Sequence, residues 1–353
     1  MLLAITEKIL LFSKLITGSM KKYFTISVAV LIIFTACKKE PSFQSSKANA
    51  TIASDEILAA DTIKIPLTEL GSGTYYGYTG GLYPGGVNTP SGTYAKDLKK
   101  AANTIVLLDT AGNPAANGVI GFISLGASNL SKMFLQLETL SVGNPAVNQK
   151  IVMANCTGGS EYIEQVKDST SGYWPIVERK LRDNNITAKQ VEVITLETDD
   201  STANIAFPSK PLYLKSNFAE AVRLFHIKFP NLKIVYFIGR TTTFVGKGKK
   251  QQNSEPIPYY NGWACKWLIE DQINNDPGLA YKGRQAVAPM VTWGWYKWSI
   301  GKVTRSDGFL WTKDDTTDGL HPTDDGAVKL ATFYQNFLLS DPIASIWYGN
   351  NGQ

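Results

Sequence analysis

From residue 119 to the C-terminus, short apolar runs alternate with stretches whose apolar residues recur every three to four positions. The runs at 119–125, 150–154, 190–196, 233–238 and 286–291 read as buried strands. The stretches at 128–140, 174–182, 217–228, 262–274 and 323–339 read as helices with an apolar face. A strand followed by a helix, five times over, predicts an α/β fold with an open, mostly parallel sheet and helices on both faces. Sheets of that kind collect their chemistry beyond the C-terminal ends of the strands. Ser128 follows the first strand there, Gly158 and Gly159 the second, and Arg240 the fourth, while Asp318 and His321 come just before the last helix.

The pattern is different upstream. Residues 61–118 hold a Gly/Tyr-rich run between Gly71 and Gly86, which predicts tight turns with aromatic plugs and a β-rich N-terminal extension. Residues 38–60, rich in Ser, Ala and Lys without periodicity, read as a flexible tether. Residues 20–37 are a basic start (Met20-Lys21-Lys22), an apolar stretch at 23–34 that is short for a bilayer span, and Thr35-Ala36-Cys37. The last three resemble the lipobox of bacterial lipoproteins, with Phe34 where Leu is more usual. That resemblance implies a signal peptide over 1–37, lipidation of Cys37 and a lipid anchor in the bacterial cell envelope. The alternatives are an ordinary secretory signal or a single membrane anchor. Met20 begins a complete signal by itself, so residues 1–19 read as an upstream extension.

Composition changes this picture little. A chain of 353 residues that is 44% hydrophobic can bury a large core. The formal charge is +5, but residues 1–40 hold six lysines against two glutamates and so carry most of it. The near-neutral remainder gives no electrostatic reason to expect nucleic acid as a partner. Cys156 and Cys265 are either a disulfide or two small buried apolar groups, and no Cys/His spacing suits a metal. No cofactor is implied.

The candidate chemistry is a hydroxyl, an imidazole and a carboxylate. Asp318-Gly319-Leu320-His321-Pro322 places an acid and a base three residues apart in a polar, turn-prone run. Serine attacks a carbonyl only when a base takes its proton and an acid orients that base. There are just two histidines, and the other, His226, sits among Val222, Leu224 and Phe225 in a predicted helix. Ser128, in Gly126-Ala127-Ser128-Asn129, is either the nucleophile or a helix cap. Arg240 is either a substrate-binding group or one half of a structural ion pair. Tyr259-Tyr260 and Trp293-Gly294-Trp295-Tyr296-Lys297-Trp298 read first as packing, with one or two rings left for the cleft.

Taken together, Gly126-Ala127-Ser128 and Asp318-Gly319-Leu320-His321 resemble the Gly-Asp-Ser and Asp-x-x-His blocks of the SGNH/GDSL hydrolase superfamily. With Gly80-Gly81-Leu82-Tyr83, Glu255-Pro256 and 262–270, the chain is more narrowly similar to an uncharacterised bacterial lipoprotein branch of it. The resemblance spans about residues 65–347 and implies a flavodoxin-like three-layer α/β/α sandwich over 119–347. It also implies ester hydrolysis through an acyl-enzyme. Ser128 would be the nucleophile, His321 the base and Asp318 its orienter, with Gly158 or Gly159 giving an oxyanion N–H. The expected substrate is a small-molecule or carbohydrate ester, an acetyl ester among them. Ala127 departs from the first block, and Gly239-Arg240-Thr241-Thr242 lacks the Asn that the third block uses as an oxyanion donor. A glycan-binding protein with weak or absent turnover is the alternative those departures leave open.

Overall fold

The computed structural model describes residues 62–246 and 251–350. The predicted signal, lipidation site Cys37 and the tether lie outside them. In chain order the elements are α1 (Leu67–Leu70), β1 (Thr74–Tyr75), β2 (Tyr78–Thr79), α2 (Gly92–Ala102), β3 (Ile120–Gly126), α3 (Ser128–Ser141) and β4 (Ile151–Asn155). There follow α4 (Ile163–Val166), α5 (Tyr173–Asp183), β5 (Val191–Glu197), α6 (Ser209–Lys228), β6 (Ile234–Phe237), α7 (Ile257–Ile273), β7 (Met290–Trp293), α8 (Asp324–Ser340) and α9 (Ser345–Tyr348). Short 3-10 turns, among them Gln251–Asn253 and Lys313–Asp315, lie between them.

Five strands form one parallel sheet in the order β4-β3-β5-β6-β7. Parallel neighbours need helical crossovers, and these cover both faces. On one face Ile123, Leu125, Val235, Phe237 and Val291 meet α5, α6 and α7 in a single apolar cluster. On the other, Ile120, Phe122, Ile234, Tyr236 and Met290 meet α2, α3, α8 and α9. Because side chains alternate along a strand, β6 supplies Ile234 and Tyr236 to one core and Val235 and Phe237 to the other. The result is a three-layer α/β/α sandwich whose strand order is that of flavodoxin-like sheets.

The sequence-predicted strands and helices all fall on these elements, with shifted ends. Two helices begin earlier than their apolar periodicity shows: α6 at Ser209, with Pro211 in its first turn, and α7 at Ile257, with Pro258 there. Proline is tolerated at such positions because the first-turn N–H groups have no intrahelical acceptor. The extension over 62–118 carries the small antiparallel ribbon β1–β2 that its Gly/Tyr run suggests, and also α2. That helix docks through Tyr94, Leu98 and Ala102, an apolar stripe at every fourth position. Tyr75 packs its ring against Phe207, Tyr259 and Trp263, so the ribbon is part of the core and not an appendage. Cys156 and Cys265 are buried and unbonded. Among the described residues no helix is long and apolar enough to cross a membrane.

Candidate active site

Gly126 ends β3 with φ +122, and a Cβ there would lie 1.9 Å from the Glu197 carbonyl oxygen at the end of β5. Only glycine permits that approach. The Ala127 N–H donates to the same carbonyl at 3.1 Å. On the opposite side the Tyr173 hydroxyl accepts from the Gly126 N–H and donates to the Cys156 carbonyl, both at 3.0 Å. The ends of β3, β4 and β5 are thus drawn together at the point where the sheet order reverses, which is where such sheets open a crevice. The chain then enters α3 with Ala127 as its N-cap and Ser128 as the first helical residue. Ser128 is therefore not the cap; its Oγ lies 3.1 Å from His321 Nε2.

His321 reaches that position from a turn that Asp318 builds. Asp318 Oδ1 accepts the Leu320 and His321 N–H groups at 3.0 and 2.8 Å, and Oδ2 lies 2.9 Å from His321 Nδ1. A carboxylate facing Nδ1 keeps the imidazole proton there and turns the Nε2 lone pair toward Ser128. Partial burial raises the Asp318 pKa, but the hydrogen bonds from His321 and Leu320 outweigh it and hold the carboxyl down at about 2. The turn is fixed from outside as well. Gly319 has φ +82, and its carbonyl accepts the Phe244 N–H at 2.7 Å. Lys132 of α3 donates to the Pro322 carbonyl at 2.9 Å. The neighbouring acids do other work: Asp315 caps its own turn through the Thr312 N–H and pairs with Lys329, and Asp324 begins α8.

Ser128 and His321 line a cleft of about 170 Å³, together with Asn129, Gly159, Glu161, Tyr162, Arg240 and Asn253. Of the two glycines expected to serve an oxyanion, Gly158 donates its N–H to the Gly126 carbonyl at 3.0 Å and so is committed. Gly159 lines the cleft and makes no such bond. Arg240 also lines it, yet its guanidinium is held by Asp199 Oδ2 at 3.0 Å and by Asn253 Oδ1 at 2.8 Å. It is the buried ion pair that one of its two sequence readings describes. His226 lines a separate hollow with Lys100, Lys233 and Lys282. The late aromatics pack inside: Trp293, Trp295, Tyr296, Trp298, Tyr259 and Tyr260 are all buried, and Tyr162 is the aromatic of the cleft.

No family model matches the chain, and no curated protein matches it. Among the similarities to solved structures are two at low identity. One is to a Streptococcus pneumonia protein provisionally described as a platelet activating factor, at 14% identity and TM-score 0.35, covering 83% of this chain and 99% of that one. The other is to an extracellular lipase from Streptomyces rimosus, at 10% identity and TM-score 0.28, covering 61% of this chain and 100% of the lipase.

Beneath the cleft lies a layer of buried charge that the sequence did not reveal. Glu197 pairs with Lys297, and Asp199 and Asp200 share Lys210, all nearly without solvent exposure. Buried charges persist only when paired, so these lysines fix the strand ends against one another. In sequence Lys210 and Lys297 look like solvated surface, because nothing local shows that they pair in the interior, the one with Asp199 and Asp200 just past β5 and the other with Glu197 at its end. Asn253 went unread because it comes from a 3-10 turn, two residues before Glu255-Pro256, that carries no signal of its own. Among the described residues no cluster of His, Cys, Asp and Glu is arranged to hold a metal ion.

Proposed function

We propose that the chain is a serine ester hydrolase that works through an acyl-enzyme. The observation that carries the reading is the continuous relay from Ser128 Oγ through His321 to Asp318, with contacts of 3.1 and 2.9 Å at the mouth of a cleft. Ser128 Oγ bonds to the carbonyl carbon while its proton passes to His321 Nε2, and the carbonyl π pair moves onto oxygen. The tetrahedral adduct collapses as His321 returns the proton to the leaving alcohol. Water then adds to the acyl-enzyme by the same route, and release of the acid restores Ser128. Asp318 orients the imidazole and stabilises its protonated form throughout. The N–H groups of Ser128 and Gly159, at the start of α3 and beside it, are the backbone donors available to the oxyanion.

The small cleft favours a short acyl group such as acetyl. A carbohydrate alcohol is the substrate class we propose, with release of acetate from acetylated glycans as the assay. The glycan-binding alternative loses the support of an aromatic cleft with the rings buried, and keeps that of the missing third-block Asn. We also propose that the protein acts outside the cytoplasm, anchored through lipidated Cys37. Mass spectrometry of the full-length protein from membranes tests this, and an unmodified Cys37 in the mature chain would remove it. Reaction of the full-length protein with a fluorophosphonate tests the enzymatic reading, because only an activated serine is modified.

A further inference from the structure

Arg240 donates three hydrogen bonds within the protein, and this confinement has a directional consequence for Asn253. A guanidinium only donates hydrogen bonds, so the Asn253 atom 2.8 Å from Arg240 must be the amide oxygen. The amide NH2 then faces the other way. Asn253 is half-buried, it lines the same cleft as Ser128 and His321, and its Nδ2 makes no hydrogen bond to another of the described residues. The turn that carries it is held on three sides. Arg240 donates to the Gln252 carbonyl at 3.4 Å as well as pairing with buried Asp199. Thr243 Oγ1 donates to the Asn253 carbonyl. Across the cleft, Gln252 Nε2 donates to the Tyr162 hydroxyl at 3.0 Å. A donor aimed by a buried ion pair needs no reorganisation when charge appears in the cleft, and this is what makes fixed dipoles effective there.

Resting on the esterase reading, we infer that Asn253 is a catalytic residue of this chain: its side-chain amide donates a hydrogen bond to the carbonyl oxygen as that oxygen becomes an oxyanion. Arg240 and Asp199 are positioning residues that aim it. A purely structural Asn253 would serve only as an acceptor for Arg240, and the two roles separate cleanly in one substitution. Asn253→Asp keeps the shape and the acceptor for Arg240 but deletes both N–H donors and adds a negative charge. Asn253→Ala deletes donor and acceptor together.

The test is steady-state hydrolysis of nitrophenyl acetate by the full-length protein and both variants, with unfolding midpoints measured alongside. The donor role predicts that Asn253→Ala lowers kcat by roughly 100-fold with KM changed less than about threefold, the loss typical of one oxyanion donor. It predicts that Asn253→Asp is at least as damaging although its unfolding midpoint stays near that of the unsubstituted protein. Hydrolysis by Asn253→Asp within about threefold of the unsubstituted rate would overturn the donor role and leave the esterase reading standing. An unsubstituted protein that neither hydrolyses the ester nor reacts with a fluorophosphonate would overturn the esterase reading and this inference with it.

Discussion

Asp318→Asn is the most informative change in the relay, because its effect follows from counting hydrogen bonds. Asp318 accepts three: two backbone N–H groups on Oδ1 and the imidazole Nδ1–H on Oδ2. An asparagine has one oxygen. Placed at Oδ1, it keeps both backbone bonds and puts its NH2 against Nδ1. The imidazole must then accept there and carry its proton on Nε2, facing Ser128, where it no longer takes the serine proton. The opposite orientation rescues the imidazole but sets an NH2 against two backbone donors, at a cost of about 1 kcal/mol for each lost bond. The first orientation therefore dominates, and the expected loss in kcat is about 10⁴-fold, or roughly 5 kcal/mol of barrier. Stability should change by less than about 1 kcal/mol, since the Asp318 side chain is 45% exposed. Ester hydrolysis, rate of fluorophosphonate labelling and urea unfolding together make the assay. An Asp318→Asn protein that keeps more than about a tenth of the activity would refute the orienting role. The wild-type carboxyl, held at about 2 against an unfolded value near 4, stays ionised at any ordinary assay pH. Its modest contribution to stability is present above about pH 4 and fades as pH falls through about 2.

Two further predictions concern the frame. Gly126→Ala should destabilise by on the order of 3 kcal/mol or more, because the new Cβ meets the Glu197 carbonyl at 1.9 Å in a backbone conformation that alanine avoids; urea unfolding measures it, and a loss below about 1 kcal/mol would mean that the strand ends are not locked. Glu192 is fully buried, with Oε1 accepting the Val106 N–H and Oε2 unpartnered, and burial pushes its carboxyl up to about 8. The folded chain then holds a proton that the unfolded chain has released above about pH 4.3, so stability should fall as pH rises from there to about 8. Glu192→Gln should flatten that fall; equal slopes for the two proteins between about pH 5 and about pH 8 would contradict the assignment.

The strands were legible because a parallel sheet buries both faces: β6 reads as an unbroken apolar run, and β3 and β5, buried along their whole length, stay mostly apolar despite Ser124, Glu192, Thr195 and Glu197. The candidate relay was legible because its residues sit at strand-to-helix and loop-to-helix junctions with local turn signals, Gly126 before Ser128 and Gly319 inside the Asp318–His321 turn. What stayed hidden depends on pairings that only the folded chain makes. The first turns of α6 look polar until Lys210 is seen to neutralise Asp200 in the interior. Arg240 could be a ligand group or a structural cation until Asp199 and Asn253 are beside it. The aromatic run at 293–298 could line a cleft or fill a core, and its indole and phenol groups turn out to be anchored internally, as when Trp293 Nε1 donates to the Leu82 carbonyl. The helix α2 had a signal, the stripe Tyr94, Leu98 and Ala102, but it follows a Gly/Tyr-rich run and shares its low apolar content.

The central claim is that Ser128 is activated by His321. Its most direct test is to treat the full-length protein with a fluorophosphonate and locate the adduct by mass spectrometry, in parallel with a folded His321→Ala variant. The relay predicts a single modified residue, Ser128, in the first protein and none in the second. No adduct on Ser128 in the folded wild-type protein, or equal labelling in both, would contradict it.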